Sequence, residues 1–211
     1  NVSGTNINTA YGGLTLNGPA QFSIVHTLQI NGAISGSANL EKYMNERIYL
    51  GGDSSSYSGS LTAYAGSFQS LNPISTAKPF GTGSVTINPG SAIRLAAVSN
   101  ISASQVTVNS DLGGISTIGM GYVGDPAAIP SITINSTAPW KVGLGIGALA
   151  FNQNIDQSTL WGGNIYLGSV LDATGIYTGS VTPASGNKFL LGTGQGTIRF
   201  ASPLTGAGTS A

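Results

Sequence analysis

The carboxylates are the side chains of this sequence that could carry out acid–base chemistry, and there are seven of them. Enzymes that cleave polysaccharides on a coiled β-scaffold need two or three such groups side by side, alone or around a calcium ion. On a coiled scaffold, acids come together when they are spaced by one coil. The spacings between successive acids from Asp111 onward do not match the spacing at which the strand pattern repeats. The seven carboxylates are Glu41, Glu46, Asp53, Asp111, Asp125, Asp156 and Asp172.

A single histidine, His26, is the other candidate for catalysis or metal binding. A catalytic triad or an imidazole-based metal site would depend entirely on it, and no serine lies in a Gly-x-Ser-x-Gly motif. Cysteine is absent, which excludes disulfides and thiolate metal sites. We therefore expect no enzymatic activity, with no catalytic residue, no metal site and no cofactor.

One short stretch concentrates charge, because five of the fourteen charged residues lie between Glu41 and Asp53. Its first four charged side chains form a candidate partner-contact patch, namely Glu41, Lys42, Glu46 and Arg47. Groups of this kind are more often solvated loops, whose surface ion pairs contribute about 0–1 kcal/mol each. The solvated loop is therefore the more ordinary interpretation of this stretch.

Elsewhere the chain is poor in charge. Charged residues make up 7% of the 211 residues, and the net charge is zero, whereas an average soluble domain has about 25%. We expect no nucleic-acid partner, because contacts with phosphates need a basic surface. No apolar run reaches the roughly 18–20 residues of a membrane helix, so membrane insertion is not expected either. Low charge favours association with further copies or with the rest of a longer chain.

The elements that would position these residues are short strands. Apolar pairs separated by one residue recur, as in Leu28/Ile30, Ile48/Leu50 and Ile93/Leu95, and such pairs share one face of a strand. Turn residues follow nearly every pair. The 32 glycines and 9 prolines disfavour helices.

A Thr-aliphatic-Asn signature sets the period of the pattern. It occurs at positions 86–88, 107–109 and 133–135. Repeats of this length predict a solenoid in which each coil buries the apolar face of the next. We predict an all-β, right-handed parallel β-helix of about nine or ten coils, roughly 45 Å long. An antiparallel β-sandwich is the alternative, since turn-rich short strands also build sandwiches.

Residues 1–211 are predicted to form one β-solenoid segment. The chain begins mid-pattern, without an initiator Met or a signal peptide, and we therefore expect an excerpt of a longer exported chain. Residues 138–211 are more irregular and rich in glycine. They are expected to form an end or capping region.

Residues 30–36 (INGAISG), 40–42 (LEK), 48–52 (IYLGG) and 57–59 (YSG) resemble the autotransporter-associated β-strand repeat. The resemblance covers about residues 28–96 and continues in residues 81–90 (GTGSVTINPG). It implies a parallel β-helix in a large exported bacterial surface protein that acts as an adhesin, stalk or fibre scaffold. The sequence departs from the repeat at residues 43–47 (YMNER), where the family commonly has a glycine-rich turn.

The expected function is that of a structural subunit or segment of a bacterial cell-surface fibre, sheath or adhesin, located outside the cell. Its partners would be further copies of itself or the rest of a longer chain. The first alternative is a glycan- or partner-binding module on a surface stalk, and the second is a polysaccharide lyase-like enzyme. An exposed row of aromatic residues would favour glycan binding, and clustered acids would favour the enzyme. Thr-x-Thr pairs in register, typical of ice-binding solenoids, are not found.

Two further sets of residues bear on glycans. Asn1, Asn100 and Asn135 lie in Asn-x-Ser/Thr sequons, which are glycosylation acceptors in exported proteins. Six aromatic residues could line a sugar-binding face, but their irregular spacing favours packing in the core or in turns. These residues are Tyr57, Tyr64, Tyr122, Trp140, Trp161 and Tyr177.

Overall fold

The structure is a computed structural model that describes residues 8–10, 12–72, 74, 76–102, 105–109, 114–120, 129–130, 132–135, 142–147, 150–170, 173–194 and 196–204. The chain coils as a β-solenoid with three faces, two of which carry a strand in nearly every turn, whereas the remaining one carries strands mainly near the two ends of the stack. Strands are numbered β1 to β20 along the chain. No helix in the described residues is long and apolar enough to cross a membrane.

The first face is an eight-stranded sheet whose strands recur once per turn. Its strands are β1 (Asn8–Ala10), β4 (Leu28–Ile30), β7 (Arg47–Leu50), β9 (Ser67–Ser70), β11 (Ala92–Leu95), β13 (Ser116–Met120), β15 (Val142–Ile146) and β17 (Tyr166–Ser169). Each strand pairs in parallel with the corresponding strand of the next turn.

The other two faces are divided into smaller sheets of two to six strands. The second face contains β2 (Leu14–Leu16), β5 (Ile34–Gly36), β18 (Thr174–Tyr177) and β20 (Thr197–Phe200). The third face contains β3 (Ala20–Ser23), β6 (Leu40–Tyr43), β8 (Leu61–Ala63), β10 (Val85–Ile87), β12 (Val106–Asn109), β14 (Thr133–Asn135), β16 (Ile155–Asp156) and β19 (Val181–Thr182). Short 3₁₀ turns lie at Val98–Asn100 and Leu160–Gly162.

The parallel β-helix predicted from the sequence is confirmed. Every strand pair in the described sheets is parallel, which rules out the antiparallel sandwich. The Thr-aliphatic-Asn signature forms neighbouring rungs of the third face, where Thr86 pairs with Thr107 and Thr107 with Thr133. Each step between copies of the signature is therefore the length of one turn.

The predicted number of coils was too high. The eight strands of the first face enclose seven turns, and with strands ~4.8 Å apart they make a stack of about 34 Å instead of the ~45 Å expected. Dividing the whole chain by the repeat length caused the error. Among the described residues after β17, the chain adds two-stranded pairings and three isolated bridges, of which one joins Leu167 to Leu191.

The core is a set of apolar columns that run along the stack. In the first face, Ile48, Phe68 and Ile93 lie in register on successive turns, and each is at most 1% exposed. Ile118, Leu144 and Leu167 extend the same column. Each turn therefore buries its apolar side chains against one continuous core. Burial of apolar area stabilises the fold by about 25 cal/mol per Å².

Candidate functional site

A groove of about 360 Å³ lies on the outer surface of the first face, over β9, β11 and β13. We call it the face-one groove. Small and polar residues dominate its lining. They are Asn45, Gly66, Ser67, Gln69, Gly90, Ser91, Ala92, Ile93, Arg94, Ile115, Thr117, Gly119, Val170, Gly192, Thr193 and Gly194.

Strand register places two outward columns on the groove floor. Ser67, Ala92 and Thr117 occupy matching positions on β9, β11 and β13. Gln69 aligns with Arg94 and then with Gly119 in the second column. Because side chains alternate along a strand, these residues point away from the core column formed by the residues between them.

The far wall of the groove comes from a chain segment that is distant in sequence. The Thr193 side chain lies over Gly143, and Val170 lies over Gly119 and Gly145. A Cβ atom at Gly119 would lie 2.5 Å from Val170 Cγ1, closer than real Cβ atoms come to other atoms. Glycine at the outward positions therefore lets this wall pack directly on the sheet.

The polar side chains of the groove are largely withdrawn from bulk solvent. Gln69 is 4% exposed and Thr117 is 6% exposed. Gln69 Nε2 donates to Ser67 Oγ at 3.0 Å, and Thr117 Oγ1 lies 2.6 Å from Thr193 Oγ1. Among the described residues, the carbonyl oxygen of the Gln69 side chain has no hydrogen-bond partner, so its acceptor sites remain open to the groove.

Arg94 also lines the groove, midway between Gln69 and Gly119. Its side chain is partly buried and engages other groups of the chain.

The four residues of the proposed partner-contact patch do not form one loop. Glu41 and Lys42 lie in β6, Arg47 begins β7, and only residues 44–46 form the turn between the strands. In that turn Met44 has φ of 67°, a conformation that favours glycine. This is the place where the sequence departs from the glycine-rich turn of the repeat that it resembles.

Lys42 is fully buried, with 0% of its surface exposed. Its Nζ donates to the backbone carbonyls of Met44 and Ala65, each at 2.8 Å, and of Tyr43 at 3.5 Å. Burial lowers the pKa of Lys42 to about 8, and the charge of Glu46 opposes this shift. Lys42 therefore cannot reach a partner at the surface, and any contact patch here is limited to the other three residues.

Glu41 and Arg47 are partly buried on the outside of the stack. Glu41 accepts hydrogen bonds from Gln21 Nε2 at 2.9 Å and from Tyr43 Oη at 3.0 Å, and the second bond raises the pKa of Tyr43. Arg47 donates to Tyr49 Oη at 3.2 Å. Their role in partner binding stays a prediction.

The candidates for catalysis are dispersed in the described structure. His26 is exposed in the turn between β3 and β4. Asp156 accepts hydrogen bonds from Ser158, which lower its pKa. Among the described residues, no three His, Cys, Asp or Glu side chains are grouped so that they could hold a metal ion. Asp111, Asp125 and Asp172 lie outside the described residues.

The sequon at Asn100 is not available for glycosylation in the folded chain. Asn100 is 0% exposed. Its side chain accepts hydrogen bonds from Ser70 Oγ and the Ala97 N–H, and donates to the Ala77 carbonyl. Asn1 lies outside the described residues, and only the backbone of Asn135 is described.

The aromatic residues mostly pack inside the stack. Tyr57 and Tyr177 are buried and hydrogen-bonded to backbone carbonyls, and burial raises the pKa of each to about 12. Trp161 donates to the Pro130 carbonyl at 2.8 Å. Tyr64 is partly exposed and stacks on Tyr43, with ring centroids 4.8 Å apart. Tyr122 and Trp140 lie outside the described residues.

The face-one groove was not predicted from the sequence, although the sequence contains one signal of it. Glycine occupies outward positions of three successive strands, at Gly119, Gly143, Gly145 and Gly168. A strand interior with this much glycine often marks the close approach of another chain segment.

Comparisons of this chain with protein-family models, with curated proteins and with solved structures give no match.

Proposed function

We propose that this chain is a structural β-helical segment of an exported bacterial cell-surface fibre, sheath or adhesin, without catalytic activity. The observation that carries the proposal is the apolar core column of the first face, which continues in register through six turns from β4 to β17. A stack of this kind resists separation of its turns, because each turn is bonded to its neighbours along a whole strand. The location and the adhesin role rest on the resemblance of residues 28–96 to the autotransporter repeat.

The first turn supports growth of the stack by association. Within the described residues, β1, β2 and β3 each pair on one side only, with β4, β5 and β6. Unpaired strand edges are templates for strands of another chain. The zero net charge of the chain does not oppose such contact.

Thr9 offers a selective way to block this edge. The N–H of Asn31 donates to the Ala10 carbonyl at 2.9 Å, so Ala10 directs its backbone groups toward β4. In a parallel ladder, adjacent residues of a strand direct their backbone N–H and C=O groups to opposite sides. The N–H of Thr9, which precedes Ala10, therefore faces the free edge. Thr9→Pro removes that donor and leaves the bonds to β4 in place.

Electron microscopy of the purified protein over a range of concentrations tests the proposal. We expect filaments with an axial repeat of about 34 Å, or a small multiple of it. Thr9→Pro should abolish them, whereas the control Thr9→Val, which keeps the N–H, should not. Single particles of the wild-type protein at every concentration would contradict self-assembly.

A further inference from the structure

We propose that the face-one groove binds a single neutral sugar unit, such as one hexose of a glycan. This site is separate from the strand edges on which the proposed assembly depends. The proposal rests on the buried polar groups of the groove, on its shape and on the rigidity of its far wall.

The polar groups of the groove match the requirements of a sugar ring. Gln69 offers an amide carbonyl that lacks a partner among the described residues, beside the hydroxyl of Ser67. Thr117 and Thr193 add two hydroxyls, which bond to each other. Amides and hydroxyls both donate and accept, and the hydroxyls of a sugar need partners of both kinds. The carbonyl oxygen of Gln69 can therefore accept a hydrogen bond from a hydroxyl of the ligand.

The shape of the groove also fits a small ligand. Its volume of about 360 Å³ lies at the lower end of the range of about 300–1,000 Å³ found for small-molecule pockets. Ala92 and Gly119 keep the floor flat, and Val170 supplies an apolar side wall. A sugar ring presents hydroxyls at its edge and C–H groups on its faces. It could therefore place its edge toward Gln69 and one face toward Val170.

The far wall holds these groups in place before a ligand arrives. The bond between Thr117 and Thr193 joins the wall to β13, and Val170 packs directly over Gly119 and Gly145. A preformed site avoids the entropy cost of ordering its side chains when it binds.

The experiment is saturation-transfer NMR of the full chain with a panel of methyl glycosides, namely glucoside, galactoside, mannoside and N-acetylglucosaminide, followed by titration. We expect at least one glycoside to bind with a Kd in the millimolar range. Gln69→Leu removes the amide at similar volume, and Ala92→Leu fills the groove. Each variant should weaken binding at least tenfold. The control Thr62→Leu places the same side chain at an outward position of the third face and should bind as the wild type does.

The proposal would be overturned if no glycoside of the panel bound, since the groove would then only hold water. It would also be overturned if folded Ala92→Leu bound as tightly as the wild type. Its failure and that of the proposed assembly are distinguishable. Thr9→Pro should leave glycoside binding unchanged, and Gln69→Leu should leave filaments intact.

Discussion

Thr117 on β13 and Thr193, which lies 76 residues later in the chain, are joined through their side-chain oxygens at 2.6 Å. The contact ties the segment after β19 to the outer surface of the first face. Both side chains are almost fully buried. The contact therefore fixes the far wall of the face-one groove.

Thr193→Val should loosen this wall, because valine keeps the shape of threonine and loses the hydroxyl. A buried hydrogen bond contributes about 1 kcal/mol, and we expect a loss of that size in the free energy of unfolding. Hydrogen exchange should accelerate in residues 190–194. Thr182→Val, at an exposed position of β19, is the control and should change neither quantity. Unchanged exchange in Thr193→Val would show that the contact does not hold the wall.

Gly119 should tolerate no side chain while Val170 covers it. In Gly119→Ala the new Cβ would lie 2.5 Å from Val170 Cγ1, and overpacking of this kind costs about 1–3 kcal/mol. Combining it with Val170→Ala should remove most of that cost, which a double-mutant cycle in urea measures. Gly18→Ala, with no atom within 4 Å of the new Cβ, should be nearly neutral. Additive effects of the two changes would contradict the packing described.

Met44→Gly should stabilise the chain. Met44 has φ of 67°, and an L-residue in this conformation costs about 1–2 kcal/mol. Glycine removes that strain but adds flexibility to the unfolded chain, so we expect a net gain of about 0.5–1 kcal/mol. The midpoint of urea unfolding measures it. Asn164→Gly at φ of 59° should gain less, since asparagine tolerates this region. An equal gain at both positions would argue against strain at Met44.

Lys42 should make stability rise with pH above neutrality. Its pKa is about 8 in the folded chain and 10.5 when exposed. Between these values the unfolded chain binds more protons than the folded chain, so the free energy of unfolding increases with pH. Relative to Lys42→Met, the wild type should gain about 2–3 kcal/mol between pH 7.5 and pH 10.5.

Urea unfolding of both proteins across this pH range measures the gain. Subtracting one curve from the other cancels the effect of Tyr57 and Tyr177, which both proteins share. Parallel curves would show that the Lys42 pKa is not lowered in the folded chain.

The fold was predictable from the sequence because its evidence is local and repeated. The residues of the Thr-aliphatic-Asn signature become neighbouring rungs, so their offsets directly give the lengths of two turns. Alternation in β6 also places Lys42 on the same side as Leu40, inside the stack. The charge of Lys42 led to the prediction of a surface position. In the structure, three backbone carbonyls at the corner accept hydrogen bonds from its Nζ and hold the side chain inside the stack.

The groove could not be predicted in the same way. Its floor follows from strand register, but its wall depends on Thr193 and Val170 returning over earlier turns. No periodicity in the sequence encodes that return. The open carbonyl of Gln69 can likewise be recognised only once its neighbours are known.

Turn length varies along the stack while the register of the first face does not. Phe68 is closer along the chain to Ile48 than to Ile93, yet all three share one column. The additional residues of the longer turn are taken up at the corners. Insertions and deletions at a corner can therefore accumulate during evolution without displacing a strand. Since each turn presents the same backbone pattern above and below, duplication of a whole turn would lengthen such a protein in steps of one strand spacing, about 4.8 Å.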